Sequence, residues 1–106
     1  MTDTVGHVFA ALSDPTRRRI VETLLSEGTT SVPALTAALP ISRQAIAKHL
    51  ATLDDAGLVE RAPGRGREVR YRPRRGALAP AASWLREAEV AWDDRLARLK
   101  DAVESR

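Results

Sequence analysis

The sequence contains no cysteine, and this absence removes several classes of chemistry at once. Disulfide bonds, thiolate metal sites and cysteine nucleophiles all require a thiol. Only 4% of the 106 residues are aromatic, and no stretch approaches the roughly 20 apolar residues that cross a bilayer. The first residues also lack a basic region followed by a long apolar run, which a secretory signal would need. We therefore expect a cytoplasmic protein with no contact with the membrane.

Positive charge is concentrated in one short segment of the chain. The formal net charge is only +3, yet residues 60–75 contain seven arginines and two glutamates. A local excess of basic residues is typical of a surface that meets a phosphate backbone or another anionic partner. The length and the hydrophobic fraction of 43% indicate one globular domain over residues 1–106. A core of this size is modest, so dimerisation is a natural way to bury more surface.

Apolar periodicity and capping residues predict four helices before residue 57. The first covers about residues 3–12, and the second begins at Pro15 and ends near Gly28. The third ends at Pro40, and the fourth covers residues 42–56 with a glycine directly after it. The predicted N-caps of the second, third and fourth helices are Asp14, Ser31 and Ser42.

A β-hairpin and a long helix follow. Residues 58–62 and 68–72 are predicted strands, and the turn between them, residues 63–67, contains two glycines and a proline. The second strand alternates, so we expect Val69 and Tyr71 to face inwards and the charged residues outwards. From about Pro80 the apolar residues recur every three or four positions, which predicts a helix over residues 80–104.

Two short helices joined by a tight turn and followed by a basic hairpin are typical of a winged helix-turn-helix. The predicted fold is mainly α with a small β-hairpin, in the order α-α-α-α-β-β-α. In this fold the second helix of the pair, here residues 42–56, lies in the DNA major groove, and the wing reaches flanking backbone or minor groove. His49 lies between the buried and exposed faces, so packing is at least as good an interpretation for it as DNA contact. The candidate DNA-binding residues are Ser42, Arg43, Gln44, Lys48, His49, Arg65 and Arg67.

Three stretches resemble the ArsR family of bacterial winged-helix repressors: ALSDPTRRRIVETLL (11–25), ISRQAIAKHLATLDDAGLVER (41–61) and GREVRYR (66–72). The resemblance implies a homodimeric repressor that binds double-stranded operator DNA and leaves it on receiving a signal from an inducer. It also implies a dimer interface made of the first and last helices. The sequence contains no polar cluster that would mark an inducer site.

The apolar stripe of the last helix supports the same interface independently of the resemblance. A helix at the end of a small domain has little core left to cover, so its stripe is available to a second copy of the chain. The alternative is that this helix folds back onto its own domain. The candidate interface residues are Val5, Phe9, Leu12, Trp84, Leu85, Ala88, Trp92, Leu96 and Leu99.

Metal binding and catalysis have little support in the sequence. Residues 31–39, which match the stretch where metal-sensing members of the family carry cysteines, hold no cysteine, histidine or carboxylate, and no histidine follows His49. We therefore expect no metal and no cofactor, as in the self-regulating repressors of the family. No nucleophile context or phosphate-binding loop is present, so we expect no enzyme. Two alternatives stay open: a winged-helix module that binds an acidic protein, and a metal-responsive sensor.

Overall fold

The computed structural model describes residues 3–105, which form five helices and one β-hairpin in the predicted order. The elements are α1 (Thr4–Leu12), α2 (Pro15–Glu27), α3 (Val32–Ala38), α4 (Arg43–Asp55), β1 (Val59–Pro63), β2 (Val69–Pro73) and α5 (Ala79–Glu104). Each strand begins one residue later than the sequence pattern predicts. No helix in this part of the chain combines the length and the apolar character that crossing a membrane requires.

The helix starts are fixed by the three predicted capping side chains. Asp14, Ser31 and Ser42 each accept a hydrogen bond from the backbone N–H three residues further on, over 3.0 to 3.2 Å. These bonds satisfy donors that have no partner within the helix. Gly28 ends α2 with φ at +84°, a left-handed conformation that a residue with a Cβ rarely adopts. The predicted caps and this stop are confirmed.

The core lies where α2, α3 and α4 meet, beneath the helix-turn-helix pair. Its largest fully buried side chains include Ile20 and Leu24 from α2, Leu35 from α3, and Ile46 and Leu50 from α4. Each is less than 2% exposed, and burying a side chain of this size stabilises a fold by about 1.5–3 kcal/mol. Because α3 and α4 are packed on the same core, the outer face of α4 has a fixed orientation.

The hairpin is joined to the helical body by a third short stretch of backbone. β1 and β2 pair antiparallel, with Arg61 opposite Tyr71. Thr30, in the loop between α2 and α3, exchanges two backbone hydrogen bonds with Tyr71 at 3.0 and 2.8 Å. The hairpin is therefore tied to the loop that begins the helix-turn-helix pair.

One prediction for the hairpin is wrong. Val69 was expected to face inwards, but it is 46% exposed. It pairs with Pro63 in the last register position before the turn, so it lies beyond the edge of the helical body, where nothing packs against it. Tyr71, two residues nearer the body, is half-buried against the core as expected. Distance from the body, rather than the alternation of the strand, decides the burial of these two residues.

Helix α5 extends away from the rest of the molecule. Its 26 residues span about 39 Å at roughly 1.5 Å per residue, and the molecule measures 70 Å along its longest axis. Ala81 is the one buried residue of α5. Its start packs on α1, where the rings of Phe9 and Trp84 meet edge to face at 5.7 Å. The alternative that the apolar stripe folds back onto its own domain is wrong, because Trp92 is 70% exposed and Leu96 is 53% exposed.

Candidate nucleic-acid interface

The outer face of α4 presents polar side chains that no neighbour holds. Ile46 and Leu50 turn into the core, whereas Arg43, Gln44 and Lys48 are exposed on the other side of the helix. Among residues 3–105, none of these three side chains takes part in a hydrogen bond or an ion pair. Their donors and acceptors are therefore available to a ligand without breaking an existing contact.

Ser42 marks the end of this face, at the N-terminus of α4. Its hydroxyl accepts a hydrogen bond from the Ala45 N–H at 3.1 Å, so the side chain serves the helix itself. The first N–H groups of a helix carry a partial positive charge that attracts anions such as phosphate. The N-terminus of α4 therefore lies directly beside Arg43 and Gln44.

His49 lies on a different side of α4 from Lys48. It is half-buried, and its Nδ1 atom is 3.4 Å from Nη1 of Arg17 in α2. Arg17 is itself held in place, since its Nε donates to the Ala11 carbonyl at 2.6 Å. The ring of His49 therefore contacts the α2 surface, which supports the packing interpretation over a contact with DNA.

The tip of the hairpin carries two unpaired arginines. Arg65 and Arg67 are exposed on either side of Gly66, whose φ of +59° lets the chain turn there. The Glu68 N–H closes the turn by donating to the Arg65 carbonyl at 3.0 Å. Neither guanidinium makes an ion pair within the described range 3–105. Both side chains are free to reach an anionic surface.

Other arginines of the basic segment are already occupied. Arg70 donates to Glu68 at 3.0 Å and to the Thr29 hydroxyl at 2.9 Å, and Arg72 donates to Glu60 at 3.0 Å. These contacts stiffen the hairpin and neutralise part of its charge. Within residues 3–105, the arginines of this segment that make no ion pair are Arg61, Arg65, Arg67, Arg74 and Arg75, and two of these five lie at the tip.

The arginines that follow Pro15 have a structural role that the sequence analysis missed. Arg17 donates to the Ala11 carbonyl, and Arg18 donates to the Leu12 carbonyl at 2.7 Å. Both carbonyls lie at the C-terminus of α1, where a cation also interacts favourably with the helix dipole. The sequence does contain a signal for these bonds. Arg17 and Arg18 lie in the first turn of α2, which begins a few residues after α1 ends, so they are close enough in sequence to reach its last carbonyls.

The arginine cluster also affects the adjacent cap. The backbone N–H of Arg17, which donates to the Asp14 carboxylate at 3.0 Å, holds the pKa of Asp14 below its ordinary value of 3.8. Desolvation is the next-largest effect and raises this pKa, and Coulomb interactions with His49 and Arg17 lower it. The carboxylate is thus charged in its capping position at neutral pH.

The candidate dimer residues form two groups in the structure. Leu12 and Val5 are half-buried, and Leu12 packs partly against the core of its own domain. Ala88 is also half-buried, whereas the other members have large exposed fractions. The exposed members are Phe9, Trp84, Leu85, Trp92, Leu96 and Leu99.

Within residues 3–105, no group of three histidine or carboxylate side chains lies close enough to hold a metal ion.

The comparisons with known proteins agree with this architecture. A family model described as a helix-turn-helix domain matches residues 12–62. An ArsR-like transcriptional regulator from Rhodococcus sp. RHA1 is 45% identical, with a TM-score of 0.78 over 92% of this chain and 91% of that one. The chain belongs to the ArsR family of transcriptional regulators. It carries the helix-turn-helix DNA-binding domain of that family, whose members are regulators rather than enzymes.

Two further proteins are similar to this chain over a smaller part of its length. The helix-turn-helix-type transcriptional regulator YuzN of Bacillus subtilis (strain 168) is 47% identical over an alignment 58 residues long, and the match covers 49% of this chain and 63% of that protein. This chain thus matches less than two thirds of the length of YuzN. The cadmium metal sensor CMTR of Mycobacterium tuberculosis is 38% identical, with a TM-score of 0.57 over 76% of this chain and 81% of that one.

Proposed function

We propose that this chain is a homodimeric repressor that binds a palindromic operator and blocks a promoter by occupying it. The observation that carries the proposal is the polar face of α4, formed by Arg43, Gln44 and Lys48, whose side chains make no hydrogen bond or ion pair within residues 3–105. The arginines at the wing tip, Arg65 and Arg67, add to it a second exposed basic group. A helix of this kind fits the B-form major groove, which is about 12 Å wide.

The proposed division of work follows from the chemistry of the side chains. Gln44 is suited to adenine, which a glutamine amide can bond in two places, and Arg43 and Lys48 are suited to guanine. The wing tip, with Arg65 and Arg67, and the N-terminus of α4 at Ser42 would contact phosphates or the minor groove. Contacts with phosphates supply affinity for DNA of any sequence, and contacts with bases supply the preference for an operator.

Dimerisation in this proposal uses α1 and α5, with residues 80–104 as the main dimerisation helix. The exposed apolar stripe of α5 continues over several turns and ends at Val103, which is 71% exposed. Contiguous exposed apolar surface of this kind is uncommon on a soluble monomer and marks an interaction site. A two-fold symmetric pairing covers the same patch on both copies and presents two α4 helices to one duplex.

We further propose that release from the operator does not require a transition metal. CMTR is a cadmium sensor, but soft metals favour thiolate ligands, and this chain has no cysteine. The acidic residues of α5 alternate with Arg95, Arg98 and Lys100, as on a solvated helix face. A small-molecule inducer is the expected signal.

Selection of bound fragments from a random pool of duplex DNA tests the proposal. We expect the recovered fragments to share a palindrome whose half-sites are about 10 bp apart, or a multiple of one helical turn, because each α4 enters one major groove. Sedimentation of the complex should give two chains per duplex. Retention of no duplex at low salt would contradict the proposal and favour a module that binds an acidic protein.

A further inference from the structure

An apolar cavity lies on the side of the molecule formed by α2, β1 and the segment that joins β2 to α5. Its volume is about 260 Å³. Val21 and Leu24 of α2 form one wall, Leu58 and Val59 form a second, and Ala77 of the connecting segment forms a third. None of these residues belongs to the outer face of α4 (Arg43, Gln44 and Lys48), to the wing tip or to the apolar stripe of α5. The proposed function therefore gives this cavity no role.

Arg74 is the one charged residue of the cavity lining. Its backbone is fixed, because its N–H donates to the Leu58 carbonyl at 2.9 Å. Its guanidinium makes no hydrogen bond or ion pair with any residue from 3 to 105. The guanidinium groups of Arg70 and Arg72, in the preceding strand β2, do make such bonds. The cavity thus combines aliphatic walls with a single uncompensated positive charge.

We infer that this cavity binds a small amphiphilic acid, with an unbranched aliphatic body of about eight carbons and one carboxylate. The body would lie against Val21, Leu25 and Leu78, which are partly or largely exposed, so that apolar surface is removed from water on both partners. The carboxylate would accept a bidentate hydrogen-bond pair from the Arg74 guanidinium, the geometry in which arginine binds carboxylates best. Ligand pockets usually measure about 300–1,000 Å³, so this cavity selects a ligand smaller than a typical drug.

The cavity lies beside the segment that joins the hairpin to α5. The connecting segment, residues 73–79, forms one wall of the cavity and leads directly into α5. Gly76 within it has φ at +75°, a turn that fixes the direction in which the chain enters the helix. An occupant that packs on Ala77 and Leu78 therefore contacts the junction between the hairpin and α5. The binding step itself needs no DNA, so it can be tested apart from the proposed function.

Titration of the isotopically labelled full chain, followed by amide chemical shifts, tests the inference. The probes are octanoate, 1-octanol and octylammonium, which each contain eight carbons in an unbranched chain and differ in the charge of the head group. We expect octanoate to bind most tightly and octylammonium most weakly, with the largest shifts at Val21, Leu25 and Leu78. Filling the cavity rim with Ala79→Leu, at an exposed position in the first turn of α5, should weaken octanoate binding several-fold.

A charge variant and its matched control separate the role of Arg74 from a structural effect. Arg74→Gln should weaken octanoate binding about tenfold, the order expected for losing a charge-assisted hydrogen bond, and should leave octanol binding unchanged. Arg75→Gln removes the same charge next to the cavity, outside its lining, and should change neither. Octanoate shifts located away from the cavity, equal affinities for octanoate and octanol, or equal losses in the two variants would overturn the inference.

Discussion

The arginines of this chain act in two different ways, and the contacts of each guanidinium show which. Arg17 and Arg18 donate to carbonyls at the end of α1, and Arg72 is paired with Glu60. Arg65 and Arg67 have no such partner among residues 3–105. Because a guanidinium that already has good partners gains little from a phosphate, the proposed function assigns Arg65 and Arg67, at the tip of the wing, to DNA.

At the level of one residue, substitution of Lys48 is the sharpest test of whether α4 recognises the DNA sequence. Lys48→Ala should reduce affinity for the selected operator by roughly 1–3 kcal/mol and reduce affinity for a scrambled duplex much less, because a base contact is lost. Fluorescence anisotropy with both duplexes measures the difference. Lys100→Ala, which removes a lysine from α5, is the control and should bind both duplexes normally. An equal loss on the two duplexes would assign Lys48 to the phosphate backbone instead.

Asp14 should give the protein a measurable dependence of stability on acid. Its pKa in the folded chain lies below the ordinary value of 3.8, mainly because of the Arg17 N–H, so the charged form stabilises the fold. This contribution is complete above pH 3.8 and is lost as the pH falls through the lower folded pKa. Asp14→Asn keeps a capping oxygen but cannot titrate, so its free energy of unfolding should fall less steeply in this range.

Denaturant melts between pH 2 and pH 6 measure this difference. Asp14→Ala is the companion variant and should be less stable than Asp14→Asn at every pH, because it leaves the Arg17 N–H without its side-chain acceptor. Parallel pH profiles for the natural chain and Asp14→Asn would show that this carboxylate does not contribute to acid sensitivity.

At the level of elements, the hairpin and the helix-turn-helix pair behave as one structural piece. The two backbone bonds between Thr30 and Tyr71 join β2 to the loop before α3, and the bond from Arg70 to Thr29 supports the same junction. The wing is thus held at a fixed position relative to the outer face of α4. Under the proposed function, the phosphates that the wing contacts and the bases that α4 contacts would occur at one fixed spacing on the DNA.

The wing should contribute affinity without sequence preference. Arg65→Ala and Arg67→Ala should each weaken binding to operator and scrambled duplex by similar factors and reduce the slope of log affinity against log salt by about 1. Titrations at several salt concentrations give this slope. Arg98→Ala on α5 is the control for removal of one positive charge. Unchanged slopes in both wing variants would show that the wing does not contact DNA.

The sequence predicted the helical elements well because their determinants are local. An N-cap such as Ser42 or a stop such as Gly28 acts within one turn, and the apolar spacing of α4 fixes which side is buried. The hairpin was predicted less well because its contacts are not local. The pairing of Thr30 with Tyr71 joins residues 41 positions apart, and the exposure of Val69 depends on where the helical body ends.

The candidate site was predictable to the same extent. The face of α4 follows from helical period alone, so the exposure of Arg43, Gln44 and Lys48 was expected and is found. The sequence left His49 undecided because its partner, Arg17, lies on another helix. The cavity beside Arg74 was not foreseen, since its walls come from three separated segments that only the folded chain brings together.

On the scale of the whole molecule, the apolar stripe of α5 should control the oligomeric state. Leu96→Lys would place a charge in the proposed interface, where burying it is unfavourable, and should shift the chain towards the monomer. Asp94→Lys introduces the same side chain on the opposite side of α5 and should leave the dimer intact. Sedimentation equilibrium at several protein concentrations measures both. Equal masses for the two variants would remove the stripe from the interface.

The free length of α5 has a consequence for how such a protein diverges after gene duplication. The residues exposed along its distal half are distinct from those exposed on α4. Substitutions on one surface can therefore accumulate with little effect on the other. Under the proposed function, two daughter copies could lose the ability to form mixed dimers while they still recognise the same promoter, or acquire new target genes while they continue to pair with each other.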